Sequence, residues 1–472
     1  MATNRVRACA RKITCFHQQF EPCFARREAK AHSLVYLQGL ILGEGRKNVE
    51  RIALRFSTAR GGGPPSQNEV VALQEFLTLS PWQARSVQEK IQDVFAQELV
   101  PSTATWPLGT VGVVDESAFV KSGPESCGVA RQWCGRLGKK ENCQVGVFLL
   151  GVTPAGTALL DHGLYLPKAW AADQSRRRKT RVPEEVKFQT KPEIATEQIR
   201  RTRAAGHVAF DWITADELYG RDGNFLDALE GDGQRYVVEI PVNTSVWTKD
   251  PATQMRSWCG NGRPPKNPRR DSVRSVKAVA ESLPPDAWQV LQLREGAKGP
   301  LAFEFACVRV WAMRHKKPGP PVWLVIRRSL ADNPEVKYYV SNADESTPLE
   351  TLALVTGTRW RVEEFFEDGK GDFGMSDYEA RAWTSWHHHM TMVALAHLFM
   401  TTTKHELEEE MPELTLPLAL ELMKATMSRP TLTETDALRL TEYHLHRNRI
   451  ARKSHRKSWL RKHKRIKLKP LL

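Results

Sequence analysis

The sequence predicts an α/β fold: a mixed sheet in the middle of the chain, helices at both ends, and a β-rich insertion before the last core helix. Three observations predict it. Between Thr110 and Ile240, short apolar runs and helical periodicity follow the order three strands, helix, strand, helix, strand. From Val242 to Leu354 the runs stay extended and are separated by Pro- and Gly-rich turns. Before Pro101, and again after Leu354, apolar residues recur at helical spacing.

Taken in order, Leu34, Leu37, Leu40, Ile41, Val49, Ile52 and Leu54 mark two helices split by a turn at Gly43-Glu-Gly45. Gly61-Gly-Gly-Pro-Pro65 is a flexible break. Ser80-Pro81 reads as the cap and first position of a helix to about Leu99. The run Val111–Asp115 is a strand ending on a carboxylate. Gly128–Cys134 is weakly strand-like; Gln144–Leu150 and Thr157–Tyr165 are more clearly extended. Lys191–Ala205 is a helix opened by Pro192 and stopped by Gly206. Phe210–Thr214 is a strand followed closely by Asp216. A short helix at Phe225–Leu229 and a strand at Tyr236–Ile240 complete the run. With the Gly128 stretch set aside, this is the order of a ribonuclease H-like core, where an antiparallel meander joins parallel strands. In the insertion, Gly260–Arg270 is a basic loop, and Val290–Leu293, Phe303–Trp311, Val322–Arg327 and Val336–Val340 are strands. A last long helix is expected from about Glu379 to Thr402.

The chain's 472 residues suffice for two or three domains with real cores. Its net charge of +15 points to a polyanionic partner, nucleic acid first. Twelve Lys and Arg and no acid fall between Arg447 and Lys469, so most of that surplus is a C-terminal tail. Such a run of like charge predicts a disordered or loosely helical segment. Eight cysteines without paired spacing fit a reducing compartment. No apolar run reaches the roughly 18 residues of a membrane helix, and no signal peptide is visible. These features fit a cytoplasmic protein with no membrane association.

The most informative stretch is Arg359-Trp-Arg-Val-Glu-Glu-Phe-Phe-Glu-Asp-Gly-Lys370. At about 100° per residue, Arg359, Glu363 and Lys370 fall within roughly 40° of one another on a helix. One carboxylate is bracketed by two cations along one face. A solvated helix with i,i+4 ion pairs would carry the same charges. Trp360, Phe365 and Phe366 argue against a helix that is solvated all round.

Arg-x3-Glu-x6-Lys, opened by Arg-Trp, resembles the third catalytic motif of DDE transposases of bacterial insertion sequences, in particular the insertion sequence 4 type. That family's signature opens with a Tyr three residues before the Arg; here Thr356 takes its place. Val114-Asp-Glu-Ser-Ala-Phe-Val-Lys-Ser-Gly123 resembles the first Asp box. Gly128–Gly138, Glu141-Asn-Cys-Gln144 and Leu164-Tyr-Leu-Pro167 with Trp170 resemble the insertion sequence 701 group. The resemblance runs from about Leu37 to His389. It implies two-metal phosphoryl transfer on DNA, with cleavage at transposon ends and strand transfer to a target. Asp115, Asp216 and Glu363 would be the catalytic and metal-binding residues, holding Mg²⁺, with Mn²⁺ able to substitute. Glu116, Glu217 and Glu364 then read as supporting or surface residues. His387-His-His389 does not read as a metal site, because consecutive His on a helix point in different directions.

The partners implied are double-stranded DNA, both inverted repeats and target, and a second copy of the chain when two ends are paired. Arg359, Lys370, Trp360, Arg176, Arg177, Arg178 and Lys121 are the expected DNA contacts. Trp311 and Trp323 are weaker candidates for base stacking. The implied organisation is a helical DNA-binding domain at 1–105, a ribonuclease H-like core beginning at 106–241, a β-rich insertion at 242–354, core completion at 355–404, and a helical region with the basic tail at 405–472. A DNA-binding regulator derived from such an enzyme, and a structure-selective nuclease on the same fold, are the competing readings.

Overall fold

The structure, a computed structural model, describes residues 12–56, 67–255, 268, 270–296, 299–427 and 434–462. The Gly61–Pro65 break, most of the Gly260–Arg270 loop and the tail beyond Lys462 lie outside the described residues.

Among the described residues, twelve strands form one mixed sheet. They are β1 (Val111–Val120), β2 (Ala130–Cys134), β3 (Lys139–Thr153), β4 (Gly156–Leu164), β5 (Trp212–Ala215), β6 (Tyr236–Ile240), β7 (Ser245–Trp247), β8 (Val273–Ser275), β9 (Gln289–Gly296), β10 (Gly299–Arg314), β11 (Lys317–Ser329) and β12 (Val336–Ser341). The path runs β2-β3-β1-β5-β6-β12-β11-β10-β7-β8, with β4 on β3 and β9 on β10. β1, β5 and β6 are parallel; β1, β3 and β4 are antiparallel. The weak Gly128 stretch does contain a strand. β2 pairs the first residues of β3, while β4 pairs its second half, so one long strand serves two hairpins.

The strands expected in 242–354 are present, and they continue the sheet of the preceding segment. β12 pairs antiparallel with β6, from Tyr338 opposite Ile240 to Ser341 opposite Val237. Over that register every residue but Glu239 is buried, so the pairing satisfies backbone groups that water cannot reach.

The Trp383–Glu408 helix is the spine of the helical layer. It is buried on all sides from His388 to Thr403. Helices Arg27–Leu42, Gln67–Thr78 and Ala84–Glu98 pack on it from one side and β4 from the other. Its His388 and His389 side chains are partnered, whereas Trp386 Nε1 and His387 Nε2 have no hydrogen-bond partner among the described residues. Tyr36 Oη meets His389 Nδ1 at 2.8 Å, and His388 faces the carbonyls of Leu77 and Trp82 at 3.0 and 2.9 Å. Burial pushes His387 and His389 down to about 3 and His388 to about 4, which favours the neutral imidazoles, while the two carbonyls facing His388 oppose that shift. Asp161, fully buried on β4, receives both Arg201 and Arg85. The N-terminal helices thus share one hydrophobic core with the sheet, from Ile13 to Met423.

The last described element is a helix, Glu434–Lys462. A disordered or loosely helical segment is expected from Arg447 to Lys469, and its described part, to Lys462, is helical. The helix's first half is anchored, with Tyr443 Oη donating to Glu50 at 2.7 Å and Arg447 beside the same carboxylate. Arg, Lys, Leu and Ala, all good helix formers, carry the helix on from there. Among the described residues no helix is long and apolar enough to cross a membrane.

Candidate active site

Strand register brings the acids together. β1 and β5 pair with Val114 opposite Ala215 and stop there, so Asp115 and Asp216 follow side by side. Ala215 also faces Val238 on β6, which sets Glu239 level with Asp216. Three carboxylates thus stand where the parallel pairing of β1, β5 and β6 ends, the side of the sheet at which open α/β folds place their sites. Asp216 caps the short helix Glu217–Gly220, accepting the Leu218 N–H at 2.9 Å. Gly220 lies so close to β6 that a Cβ there would collide with the Glu239 carbonyl.

Asp115 accepts the N–H of Glu116 at 2.7 Å. Glu116 takes the Lys191 ammonium at 2.7 Å and the Tyr219 hydroxyl at 3.1 Å. One oxygen each from Asp115, Glu116 and Asp216 lie within 4.8 Å of one another. Burial, then the charges of Asp216 and Glu116, hold the Asp115 carboxyl well above the usual carboxylate range, with Arg359 opposing. Burial, with Glu116 beside it, pushes Asp216 up to about 6.

The helix carrying the third motif, Trp360–Gly371, lies against β1. Arg359 stands at its start and reaches three acids: Glu363 at 2.7 Å, Asp115 at 3.5 Å and Glu239 at 3.8 Å. Lys370 Nζ lies 2.6 Å from Ser117 Oγ. Ser117 is two residues beyond Asp115 and so on the same strand face. The two cations of the stripe therefore both address β1. Glu363 does not join the acid cluster here. Its carboxylate is bonded to Arg359, and its side chain is 51% exposed.

A family model for DDE superfamily endonucleases matches residues 19–300, which hold Asp115, Glu116, Asp216 and Glu239. The chain belongs to the DDE superfamily of endonucleases. It is also 31% identical, over 172 residues, to the probable transposase for insertion sequence element IS701 of Microchaete diplosiphon. That alignment covers 36% of this chain and 40% of the relative, so it spans less than half of the relative's length. The family match stops before the Trp360–Gly371 helix, and Glu363 rests on motif spacing alone.

The other residues expected at DNA in this DDE chain are placed unequally. Arg176 and Arg178 lie on the short helix Gln174–Lys179; Arg176 sits over Trp170 and donates to the Pro124 carbonyl, and Arg178 is exposed. Arg177, between them, turns inward. It is 6% exposed and donates to the carbonyls of Ala171, Pro183 and Glu184. Its guanidinium holds the loop and is withdrawn from any outside partner, which corrects the reading of the run as one DNA-facing patch. Lys121 donates to the Tyr378 carbonyl at 3.0 Å with its ammonium against that ring. Burial lowers it to about 7. Trp360 is 39% exposed, with the Arg294 guanidinium 3.7 Å above its ring. Trp323 donates to the Asp344 carbonyl, and Trp311 lies half-buried where β10 meets β7.

Two participants were missed in the sequence. Glu239 was not singled out within the strand Tyr236–Ile240, and Glu116 read as a supporting or surface residue. The usable signal was position: Glu239 stands near the end of a short strand that becomes parallel and central, and Glu116 follows Asp115 on β1.

Proposed function

We propose that this DDE endonuclease is a transposase: it cuts DNA at the ends of a mobile element and joins the released 3′-hydroxyl to a target. The observation that carries this reading is the convergence of Asp115, Glu116 and Asp216 where the parallel pairing of β1 with β5 ends, beneath the arginine of the third motif. The relative's name and the basic tail support it. The strand order β4-β3-β1-β5-β6, antiparallel then parallel, supports a ribonuclease H-like core.

The acid cluster fits a hard divalent cation. Its donors are all carboxylate oxygens, close enough to share one ion, and their crowding raises the proton affinity of Asp115 and Asp216. Asp115, Asp216 and Glu116 would hold Mg²⁺, or Mn²⁺ in its place, with Glu363 joining when Arg359 turns to DNA. Such an ion supplies positive charge to phosphate oxygens and an acidified nucleophile. Arg359 and Lys370, on the same side as Asp115, would receive phosphate oxygens; a guanidinium can grip two at once. Trp360, Arg176, Arg178 and Lys121 would line the DNA path, and two copies would pair the two ends.

The test is a supercoiled plasmid carrying the genomic segments that flank this gene. Nicks with 3′-hydroxyl ends that need Mg²⁺ or Mn²⁺, followed by joining, are expected. Cutting that proceeds undiminished in EDTA, or no cutting with either ion, overturns the reading.

Metal binding should depend on pH with a definite sign. Asp216 is raised from the ordinary carboxylate value to about 6, so the folded protein keeps a proton that the unfolded chain has lost between those values. Metal-free stability therefore gains from this group at low pH and loses it as pH rises through the window. A bound cation reverses the preference, since it needs the ionised form. Mn²⁺ is expected to raise the thermal midpoint well above pH 6 and to do little well below it. An equal shift on both sides would remove Asp216 from the ion's ligands.

The tail should add sequence-independent affinity. Beyond Arg447 the described helix is exposed and free of acids. Each phosphate it neutralises contributes about 0.9 to the salt slope of binding. A chain ending near Tyr443 is expected to bind random duplex with a slope lower by several units. An unchanged slope would take the tail out of the DNA interface.

A further inference from the structure

The hairpin β2–β3 projects an aromatic and basic tip beside the candidate active site, and nothing in the site described above uses it. Along β2, Arg131 and Trp133 alternate outward while Cys134 turns into a small core with Cys143 and Val145. Trp133 is 58% exposed, the most exposed aromatic side chain described, and makes no ring contact among the described residues. Leu137, at the tip, is 41% exposed. Around them stand Arg131, Arg136, Lys139 and Lys140, all exposed. Lys139 pairs with Glu141, but Arg136 and Lys140 have no carboxylate partner among the described residues. Gly138, at φ +60°, makes the tight return that a side chain would strain.

Burying Trp133 in the hairpin's own core would have been favourable, so its exposure calls for a partner that supplies an apolar face. The four cations select a polyanion as that partner. The tip also adjoins the site. Its turn, Gly135–Leu137, packs beside β1, and the Arg136 charge is close enough to help lower Lys370. Duplex DNA hides its base faces, whereas unpaired bases expose them. Stacking on such bases is tolerant of sequence.

We propose that the β2–β3 hairpin binds unpaired nucleotides next to the cleavage site, with Trp133 stacking on an exposed base and Arg136 and Lys140 holding the flanking phosphates. This rests on the reading of the chain as a DNA-cutting enzyme, and binding can be measured without cutting. Full-length protein in EDTA is titrated into a labelled duplex and into the same duplex with a central unpaired bubble. Wild type is expected to prefer the bubble. Trp133→Ala should lose roughly 5- to 150-fold on the bubble and little on the duplex, and Trp133→Phe should restore most of the loss. Arg136→Ala with Lys140→Ala should weaken both probes and lower the salt slope by roughly two. Because Trp133 is exposed, its replacement should leave the thermal midpoint near wild type.

Equal affinity of wild type for both probes, no loss in Trp133→Ala, or an equal loss on both probes overturns the assignment. So does a change in sedimentation of Trp133→Ala, which would mean that a second copy covers the ring. A wild-type chain that cuts its flanking DNA yet fails any of these criteria sinks the hairpin assignment alone. A chain that binds neither probe and cuts nothing sinks the reading it rests on.

Discussion

Asp216→Asn is expected to abolish strand cleavage, by about 10³-fold or more, while leaving DNA binding and folding intact. The magnitude follows from the several kcal/mol that a bound cation supplies to a phosphoryl-transfer transition state, at 1.36 kcal/mol per factor of about ten. The asparagine keeps the cap on the Leu218 N–H, because its side-chain oxygen still accepts that bond. It removes one of three crowded acids, so the metal-free thermal midpoint should stay level or rise. Loss of activity with retained or greater stability separates a ligand from a structural residue. Asp115→Asn should behave alike, since its carboxyl is buried beside Asp216 and Glu116. Glu363→Ala should also stop cleavage, whereas Glu364→Ala should not: Glu364 is about 100° round the helix and pairs with Arg361 and Arg294. Cleavage rates on end-bearing DNA with Mg²⁺, beside melting curves, decide each case. If any one of the three variants cuts at the wild-type rate, that residue is misassigned. A marked fall in melting temperature of Asp216→Asn would point instead to a structural role for the carboxylate's charge, because the asparagine keeps the cap.

Much of this architecture was legible because it is local. Apolar runs bounded by turns located β1, β5 and β6, and the position of Asp115 and Asp216 just past two such runs marked them as a pair. Helical spacing put Arg359, Glu363 and Lys370 on one face, and two of them do reach β1 from it. What stayed hidden depends on pairing across long stretches of chain. Nothing local in Val336–Ser341 says that it extends the sheet at β6, about a hundred residues earlier; any apolar partner of that length would satisfy its pattern. Glu239 became significant only when that neighbourhood and Arg359 met it. The run Arg176-Arg-Arg178 reads as uniform charge, and only the turn of a six-residue helix buries the middle one. Trp133 was equally silent, since an outward Trp on a short strand has the same pattern as an inward one until the sheet assigns its faces.

Arg359→Lys is expected to cost cleavage about 10²-fold or more with only a small loss of stability. An isolated surface pair with Glu363 would be worth about 0.3–0.5 kcal/mol, and lysine could replace it nearly silently. Arg359 is not so placed. Its side chain is 19% exposed and its nitrogens spread to Glu363, Asp115 and Glu239 at once. A lysine ammonium is a point charge and cannot span three acids or grip a phosphate with two parallel bonds. It would still neutralise the cluster, so the fold should tolerate it. Arg359→Ala removes the counter-charge altogether. Asp115 would then rise further from the usual carboxylate range, since the guanidinium is what pulls it down. The alanine variant should be destabilised by about 3–5 kcal/mol at most, the range for breaking a buried pair. That loss should shrink as pH falls, because protonating the acids relieves their repulsion. Melting temperature, cleavage rate and Mn²⁺ binding measured together on both variants give the answer. Wild-type cleavage by Arg359→Lys would sink the bidentate role. Equal losses of stability and cleavage in both variants would make Arg359 a structural clasp for Asp115 and Glu239. Retained Mn²⁺ binding with lost cleavage in Arg359→Lys is the result that would place its guanidinium on DNA, with Glu363 released to the cation as it swings across.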